Sequence, residues 1–189
     1  MSSRARRCGA FSLMEILVAL AIVAVLAAVI IPGLNAYLET ARIRRIEETL
    51  VTLARGVRDY KSSTGSYPSD LLRLTTQPVV GDNDVCGAPI SAAQVAAWHG
   101  PYLSITIGSA GVVVGEDTVI TTLKRKPVTA AFGGELGVLQ LIVENASSAT
   151  ALRVDADLDG DASLISGVVT WNTASGPPRL FYAVQIAGC

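Results

Sequence analysis

Histidine and charged residues are scarce in this chain, which has one histidine among 189 residues and is only 16% charged. A catalytic group that uses histidine would depend on His99 alone, and the sequence contains no phosphate-binding loop and no zinc-type cysteine spacing. We therefore predict no enzyme activity. The net charge of −1 gives no reason to expect nucleic acid as a partner. Soluble domains are about a quarter charged, so the lower charged fraction of this chain predicts that part of the protein surface faces lipid.

Cysteine is also rare, and its three copies are unevenly placed. Cys8 precedes a long apolar run, whereas Cys86 and Cys189 follow it. An even pair beyond a membrane segment predicts a Cys86–Cys189 disulfide in an oxidising compartment, with two unpaired buried thiols as the alternative. The bridge would close a loop of roughly 100 residues, which the chain-entropy model values at about 4–5 kcal/mol.

The main feature that is present is an apolar run over residues 10–34, in which Ser12 and Glu15 are the only clearly polar side chains. A helix of about 20 apolar residues is long enough to cross the hydrocarbon core of a bilayer. Lipid offers no partners for backbone N–H and C=O groups, so the segment must be helical there. We predict a transmembrane helix over residues 11–34.

The helical pattern continues beyond this run as an amphipathic segment over residues 35–64. Apolar residues recur in steps of three and four, which places them on one stripe of a helix: Ile43, Ile46, Leu50, Leu53, Val57 and Tyr60. Charged residues fill the positions between them and predict a solvated face. Gly65 and Pro68 predict the end of the helix.

Turn residues and short apolar runs follow, which predicts a globular domain over residues 65–189. A short helix is predicted around residues 91–98, where Ser91 is a good N-cap. Strands are predicted at residues 102–107, 112–114 or 119–123, 136–143, 151–155, 167–172 and 180–186. The predicted fold class is α+β, with the long N-terminal helix packed against a C-terminal antiparallel sheet.

The apolar N-terminal segment has two simple explanations, a plain membrane anchor or a secretory signal peptide cut near Ala27 or Ala28. Glu15 counts against both, because a charged carboxylate in a membrane helix costs about 2.5 kcal/mol or more and usually has a partner. Cleavage near Ala28 would also leave only a stub of the continuing helix. Arginines on both sides of the run leave its orientation open.

The sequence from Gly9 to Glu15 resembles the prepilin peptidase site of type IV pilins and type II secretion pseudopilins. In that family a short basic leader ends in glycine or sometimes alanine, phenylalanine follows, and glutamate comes four positions later. Phe11 and Glu15 fit this register with cleavage between Ala10 and Phe11, which makes residues 1–10 a leader that is removed. Cleavage after Gly9 would restore the glycine but would place Glu15 one position too far along.

The resemblance implies a role for each of these residues. The new α-amine of Phe11 would be methylated by the same peptidase. Glu15 of a neighbouring subunit would neutralise that amine as the helix leaves lipid, because a buried charge needs a partner. Pro32 matches a proline that is common in the family; it removes one helical hydrogen bond, which predicts a simple kink or an unwinding on assembly.

The resemblance also implies a function, that of a structural subunit in a type IV pilus or a type II secretion pseudopilus. The implied partners are further copies of this chain, other pilin-like subunits, prepilin peptidase and an inner-membrane assembly platform. The precursor would cross the bacterial inner membrane once, with its C-terminal domain in the periplasm, before it enters the filament. The alternative is a membrane-anchored or exported periplasmic binding protein that does not polymerise.

An acidic run supplies the candidate metal ligands, Asp155, Asp157, Asp159 and Asp161. Alternating aspartates near a glycine resemble the front half of a calcium loop, and hard oxygen ligands suit Ca²⁺. Ser166 stands where an EF-hand has its closing glutamate, and the alternative is a solvated turn between two strands. Calcium is the only cofactor that the sequence suggests.

Overall fold

The computed structural model describes residues 12–127, 136–160, 163, 167–173 and 176–187. The chain divides into two compact units, Met1–Ala41 and Arg42–Cys189. The fold is α+β, with a long N-terminal helix and a C-terminal antiparallel sheet, as the sequence predicted.

The long helix α1 spans Leu13–Thr64 and contains 52 residues. It ends where predicted, because Gly65 adopts a left-handed conformation, with φ of 78°, that terminates a helix at little cost for glycine. The Gly65 amide donates to the Lys61 carbonyl at 2.9 Å, and the Lys61 ammonium donates to the Gly65 carbonyl at 2.6 Å. Pro32 lies within α1, and the kink or unwinding at this residue stays a prediction.

The second unit contains a six-stranded antiparallel sheet. Its strands are β1 (Gly111–Val114), β2 (Asp117–Ile120), β3 (Lys124–Pro127), β4 (Leu136–Glu144), β5 (Val169–Asn172) and β6 (Arg179–Ala187). The order is β1-β2-β4-β6-β5, and β3 also pairs with β4. The long strands β4 and β6 pair along their whole length, so they form the centre of the sheet.

One hydrophobic core joins the amphipathic part of α1 to the inner face of this sheet. All six residues of the predicted apolar stripe are buried, from Ile43 at 3% exposure to Tyr60 at 0%. Alternate residues of β4 and β6 meet them from the sheet, including the cross-strand pair Leu139 and Val184. Each large buried side chain contributes about 1.5–3 kcal/mol, so this stripe accounts for the attachment of α1 to the sheet.

Two of the predicted strands are wrong. Residues 151–155 lie in the helix α3, which spans Ser148–Leu158, and residues 102–107 form no strand. The side chain of Ser147 caps α3 by accepting a hydrogen bond from the Thr150 amide at 3.1 Å. Ala151 and Val154 are fully buried at helical spacing, but an apolar run this short is compatible with either a strand or a helix.

The short elements before the sheet agree better with the sequence. The predicted short helix is α2, Ala92–Ala96, and Ser91 and Gln94 form a reciprocal capping box at its start. A 3-10 turn, Leu71–Leu74, follows the end of α1. Its Leu71 amide donates to the Thr121 carbonyl at 2.9 Å, which ties the turn to the segment between β2 and β3.

Candidate functional site

Glu15 lies in the first turn of α1, next to the predicted cleavage site. The Ser12 carbonyl accepts the Glu15 amide at 3.0 Å and the Ile16 amide at 3.3 Å, so the helix starts within a few residues of the predicted new N-terminus. A carboxylate in the first turn is favourable because the helix dipole is positive there. Ala10 and Phe11 lie outside the described residues, so their part in the site stays a prediction.

The helix surface around Glu15 is apolar and exposed. Leu13 is 77% exposed and Met14 is 70% exposed, and exposed aliphatic side chains continue on all sides of the helix as far as Leu38. An 18-residue window of α1 has a mean hydropathy of 3.0, and none of it is buried. A helix that is apolar all round requires lipid or other apolar surfaces around it. By length and composition, this segment can cross a membrane.

A shallow groove runs along one side of the apolar helix. It is lined by residues that recur in steps of three and four: Val18, Ala21, Ile22, Val25 and Leu26. The small side chain of Ala21 leaves a depression between larger neighbours. Helices pack by inserting a side chain of one into such a hole of another, so the groove is suited to a second helix.

The second unit begins with an ion pair that the sequence analysis did not identify; its carboxylate is buried, and its arginine is partly exposed. Arg42 of α1 donates from Nε to Oδ2 of Asp117 at 2.9 Å, and Asp117 is fully buried at the start of β2. Glu116, in the turn before β2, approaches Arg42 at 3.7 Å but is 88% exposed. The pair fastens the β1–β2 hairpin to α1. No local pattern reveals it, because the partners are 75 positions apart.

The first part of the acidic run is helical. Asp155 and Asp157 lie within α3, and Asp159 follows its last residue, so the alternative of a turn between two strands is wrong for this part. Asp155 is buried and Asp157 is exposed, which places the two carboxylates on different sides of the helix. Asp159 accepts the Val168 amide at 2.6 Å.

Metal binding by the acidic run stays a prediction. Within the described ranges, no three histidine, cysteine, aspartate or glutamate side chains form a group that could hold a metal ion. Asp161 lies outside those ranges, so the four aspartates cannot be compared as a set.

Asp157 lies close enough to Glu47 of α1 for its charge to act on the Glu47 carboxyl group. Burial raises the pKa of Glu47 from its ordinary value of 4.5 to about 7, and the charge of Asp157 adds to the increase. Arg44 opposes this shift and Glu48 adds to it. The sequence placed Glu47 on a solvated face; the contact with α3 is tertiary and has no local signal.

Cys86 is disulfide-bonded. It lies in a turn that is fixed by Asp84, whose Oδ1 accepts the amides of Cys86 at 2.9 Å and Ala88 at 2.8 Å. Its predicted partner Cys189 lies outside the described residues, as does Cys8, so the pairing stays a prediction.

His99 has a local structural role in a loop. Its Nδ1 lies 2.5 Å from the Ala97 carbonyl oxygen, and its backbone amide donates to the Tyr102 hydroxyl at 3.0 Å. Tyr102 in turn packs edge-on against Trp98 and Tyr60. The ring and the backbone amide of His99, the histidine that a catalytic triad would need, therefore both contact residues of its own loop.

A family model of the prokaryotic N-terminal methylation motif matches residues 5–31. The match includes Ala10, Phe11 and Glu15, and it ends one residue before Pro32. The chain therefore carries the prepilin-type motif of type IV pilins and pseudopilins, as predicted, and this motif is structural rather than catalytic. Neither the curated proteins nor the solved structures give a significant match to this chain.

Proposed function

We propose that this protein is a structural subunit of a type IV pilus-like filament, either a type II secretion pseudopilin or a type IV pilin. Prepilin peptidase cuts the precursor between Ala10 and Phe11 and methylates Phe11, and the mature chain polymerises through its N-terminal helix. One observation carries the proposal: Glu15 lies in the first turn of an exposed apolar helix, inside the matched methylation motif.

The role of Glu15 follows from the charge that cleavage creates. The freed α-amine of Phe11 is positive, and it must leave the membrane surface when the subunit enters an apolar filament core. A buried charge without a partner is strongly unfavourable, whereas a matched and hydrogen-bonded pair is tolerated. Glu15 of one subunit therefore pairs with the amine of its neighbour, and the pair fixes the axial register between the two helices.

The exposed apolar surface explains why such a helix has two environments. In the precursor the aliphatic side chains of α1 face lipid, and in the filament they face the helices of other subunits. The groove around Ala21 receives a neighbouring helix, because its lining residues form one stripe with a small residue at its centre. When the aliphatic side chains exchange lipid contacts for contacts with neighbouring helices, the net change in hydrophobic free energy is small. Side-chain packing and the charged pair therefore decide the axial register between the helices.

This function places the chain in the bacterial inner membrane as a single-pass protein, with its globular domain in the periplasm before assembly. The periplasm is oxidising, which suits a Cys86–Cys189 disulfide. The partners are further copies of the chain, other pilin-like subunits, prepilin peptidase and an inner-membrane assembly platform.

Calcium binding at the acidic run is a separate prediction; calorimetric titration of the purified chain with calcium chloride would detect it, and an absence of heat would reject it.

The experiment that tests the function replaces Glu15 by glutamine, which removes the charge and keeps the shape. We expect Glu15→Gln to remain in the membrane fraction and to be processed, while its incorporation into sheared filaments falls at least about tenfold, because a lone buried ammonium lacks its partner. Glu116→Gln is the matched control, since Glu116 is a carboxylate of the second unit whose side chain is 88% exposed. Its incorporation should equal that of the wild type.

Equal incorporation of Glu15→Gln and the wild type would reject the assembly role of Glu15. Failure of both the wild type and Glu116→Gln to enter any sheared filament, in cells that express the assembly machinery, would favour the non-polymerising binding protein instead.

A further inference from the structure

Four exposed charged side chains form one stripe along the part of α1 that belongs to the second unit. The members of this charged stripe are Arg44, Glu48, Arg55 and Asp59. At about 100° per residue, all four lie within about 60° of one another around the helix axis. The buried residues Leu50, Leu53 and Val57 lie on the opposite side of the helix. The charged stripe therefore points away from the core of its own subunit.

The charges of the stripe follow one order at one spacing. Arg44 stands four positions before Glu48, and Arg55 stands four positions before Asp59. Within a single helix this order, with the base before the acid, is the less favourable one. Neither pair forms an ion pair in the part of the chain that the structure describes. The stripe therefore adds no salt bridge to α1 there.

The proposed assembly contact supplies the same spacing between subunits, and the present inference rests on that proposed function. When Glu15 of one subunit meets the α-amine of Phe11 in its neighbour, the two chains are displaced by four residues, or about 6 Å of helix. A contact between two different surfaces generates an open helical array, in which one screw operation relates each subunit to the next. Every residue of the neighbour is then displaced by the same distance along the filament axis.

We propose that the charged stripe binds the same stripe of a second copy of this chain. Where α1 runs along the filament axis, the displacement brings Glu48 of one subunit level with Arg44 of the next. It also brings Asp59 level with Arg55. In both pairs the acid belongs to the subunit that supplies Glu15, so the three contacts have one direction.

Two further features of the helix fit this contact. Over residues 12–64, no two like charges are four positions apart, so the displacement brings no repelling pair level. Val51 lies on the same side of the helix, between the two charged pairs, and is 42% exposed. An apolar centre with charged groups around it is typical of protein interfaces. Because exposed ion pairs add little affinity, the stripe mainly selects the register between subunits.

The test exchanges charges between two chains. The acidic chain carries Arg44→Glu and Arg55→Glu, and the basic chain carries Glu48→Arg and Asp59→Arg. Either chain alone places like charges level at both pairs, so we expect its incorporation into sheared filaments to fall at least about tenfold. Co-expression places opposite charges level wherever the two chains alternate, and it should restore incorporation to within about twofold of the wild type.

Co-expression separates contacts between subunits from contacts within one helix. Ion pairs within a helix would be lost in both chains, and mixing the chains could not restore them. The matched control carries Arg45→Glu and Arg58→Glu, which gives the same net charge as the acidic chain. Neither of these exposed arginines has a charged residue four positions away, so the control should stay within about twofold of the wild type.

The outcomes distinguish this inference from the proposed function. If the wild type forms filaments and Glu15→Gln does not, unrestored incorporation on co-expression overturns this inference alone. Wild-type incorporation of either the acidic or the basic chain by itself also overturns it. If the wild type forms no filament in cells with the assembly machinery, the proposed function and this inference are both wrong.

Discussion

The ion pair between Arg42 and Asp117 allows a prediction in which the two partners are unequal. The Asp117 side chain is 0% exposed, whereas the Arg42 side chain is 27% exposed. Arg42→Met therefore leaves a buried carboxylate without its counter-charge, which costs about 3–5 kcal/mol in comparable cases. Asp117→Asn leaves a guanidinium that still reaches water and a neutral acceptor in place, so we expect a cost of about 1–2 kcal/mol.

The assay is denaturant unfolding of the full chain in detergent, monitored by tryptophan fluorescence. Arg45→Met is the matched control, because Arg45 is exposed on the same helix, and a change within about 0.5 kcal/mol is expected. The larger cost of Arg42→Met than of Asp117→Asn distinguishes loss of this ion pair from a general effect of removing charge from the helix. If Arg42→Met costs no more than Arg45→Met, or less than Asp117→Asn, the account of the pair is wrong.

Two further predictions concern the second unit. Because the pKa of Glu47 rises from 4.5 to about 7, its folded state holds a proton more tightly than its unfolded state; stability should therefore fall as the pH rises through this window. Glu47→Gln should remove this fall and stabilise the protein above pH 7 by on the order of 1 kcal/mol, a reduced figure because water screens the partly exposed group; parallel pH profiles of mutant and wild type would contradict this. Reduction of the disulfide, or Cys86→Ser, should lower stability by about 2–5 kcal/mol; unchanged unfolding in dithiothreitol would show that the bridge does not contribute.

The long helix was the most predictable part of the fold, because its signal is repeated many times. The stripe from Ile43 to Tyr60 repeats in steps of three and four, and every member of it is buried. The long central strands β4 and β6 were also predicted, since each carries enough apolar residues to show its pattern. The edge strand β3 was missed, because its sequence of Lys124, Arg125, Lys126 and Pro127 is polar and ends in proline.

The tertiary contacts could not be predicted. Residues 151–155 allow either a strand or a helix, and the decision depends on the Ser147 cap and on burial of Val154 against the core. The proximity of Asp157 to Glu47 could not be predicted, because the two residues are distant in the sequence. The prepilin-type motif could be predicted because Phe11 and Glu15 lie four positions apart in one continuous segment.

The most direct test of the central claim is the N-terminal mass of the mature chain purified from native membranes. Our account requires that cleavage occurs between Ala10 and Phe11, and that one methyl group is added to the new amine. We therefore expect a mature chain that begins with N-methylated Phe11. A chain that keeps the arginine-containing leader, or one that begins near Val29 without the apolar segment, would contradict the account.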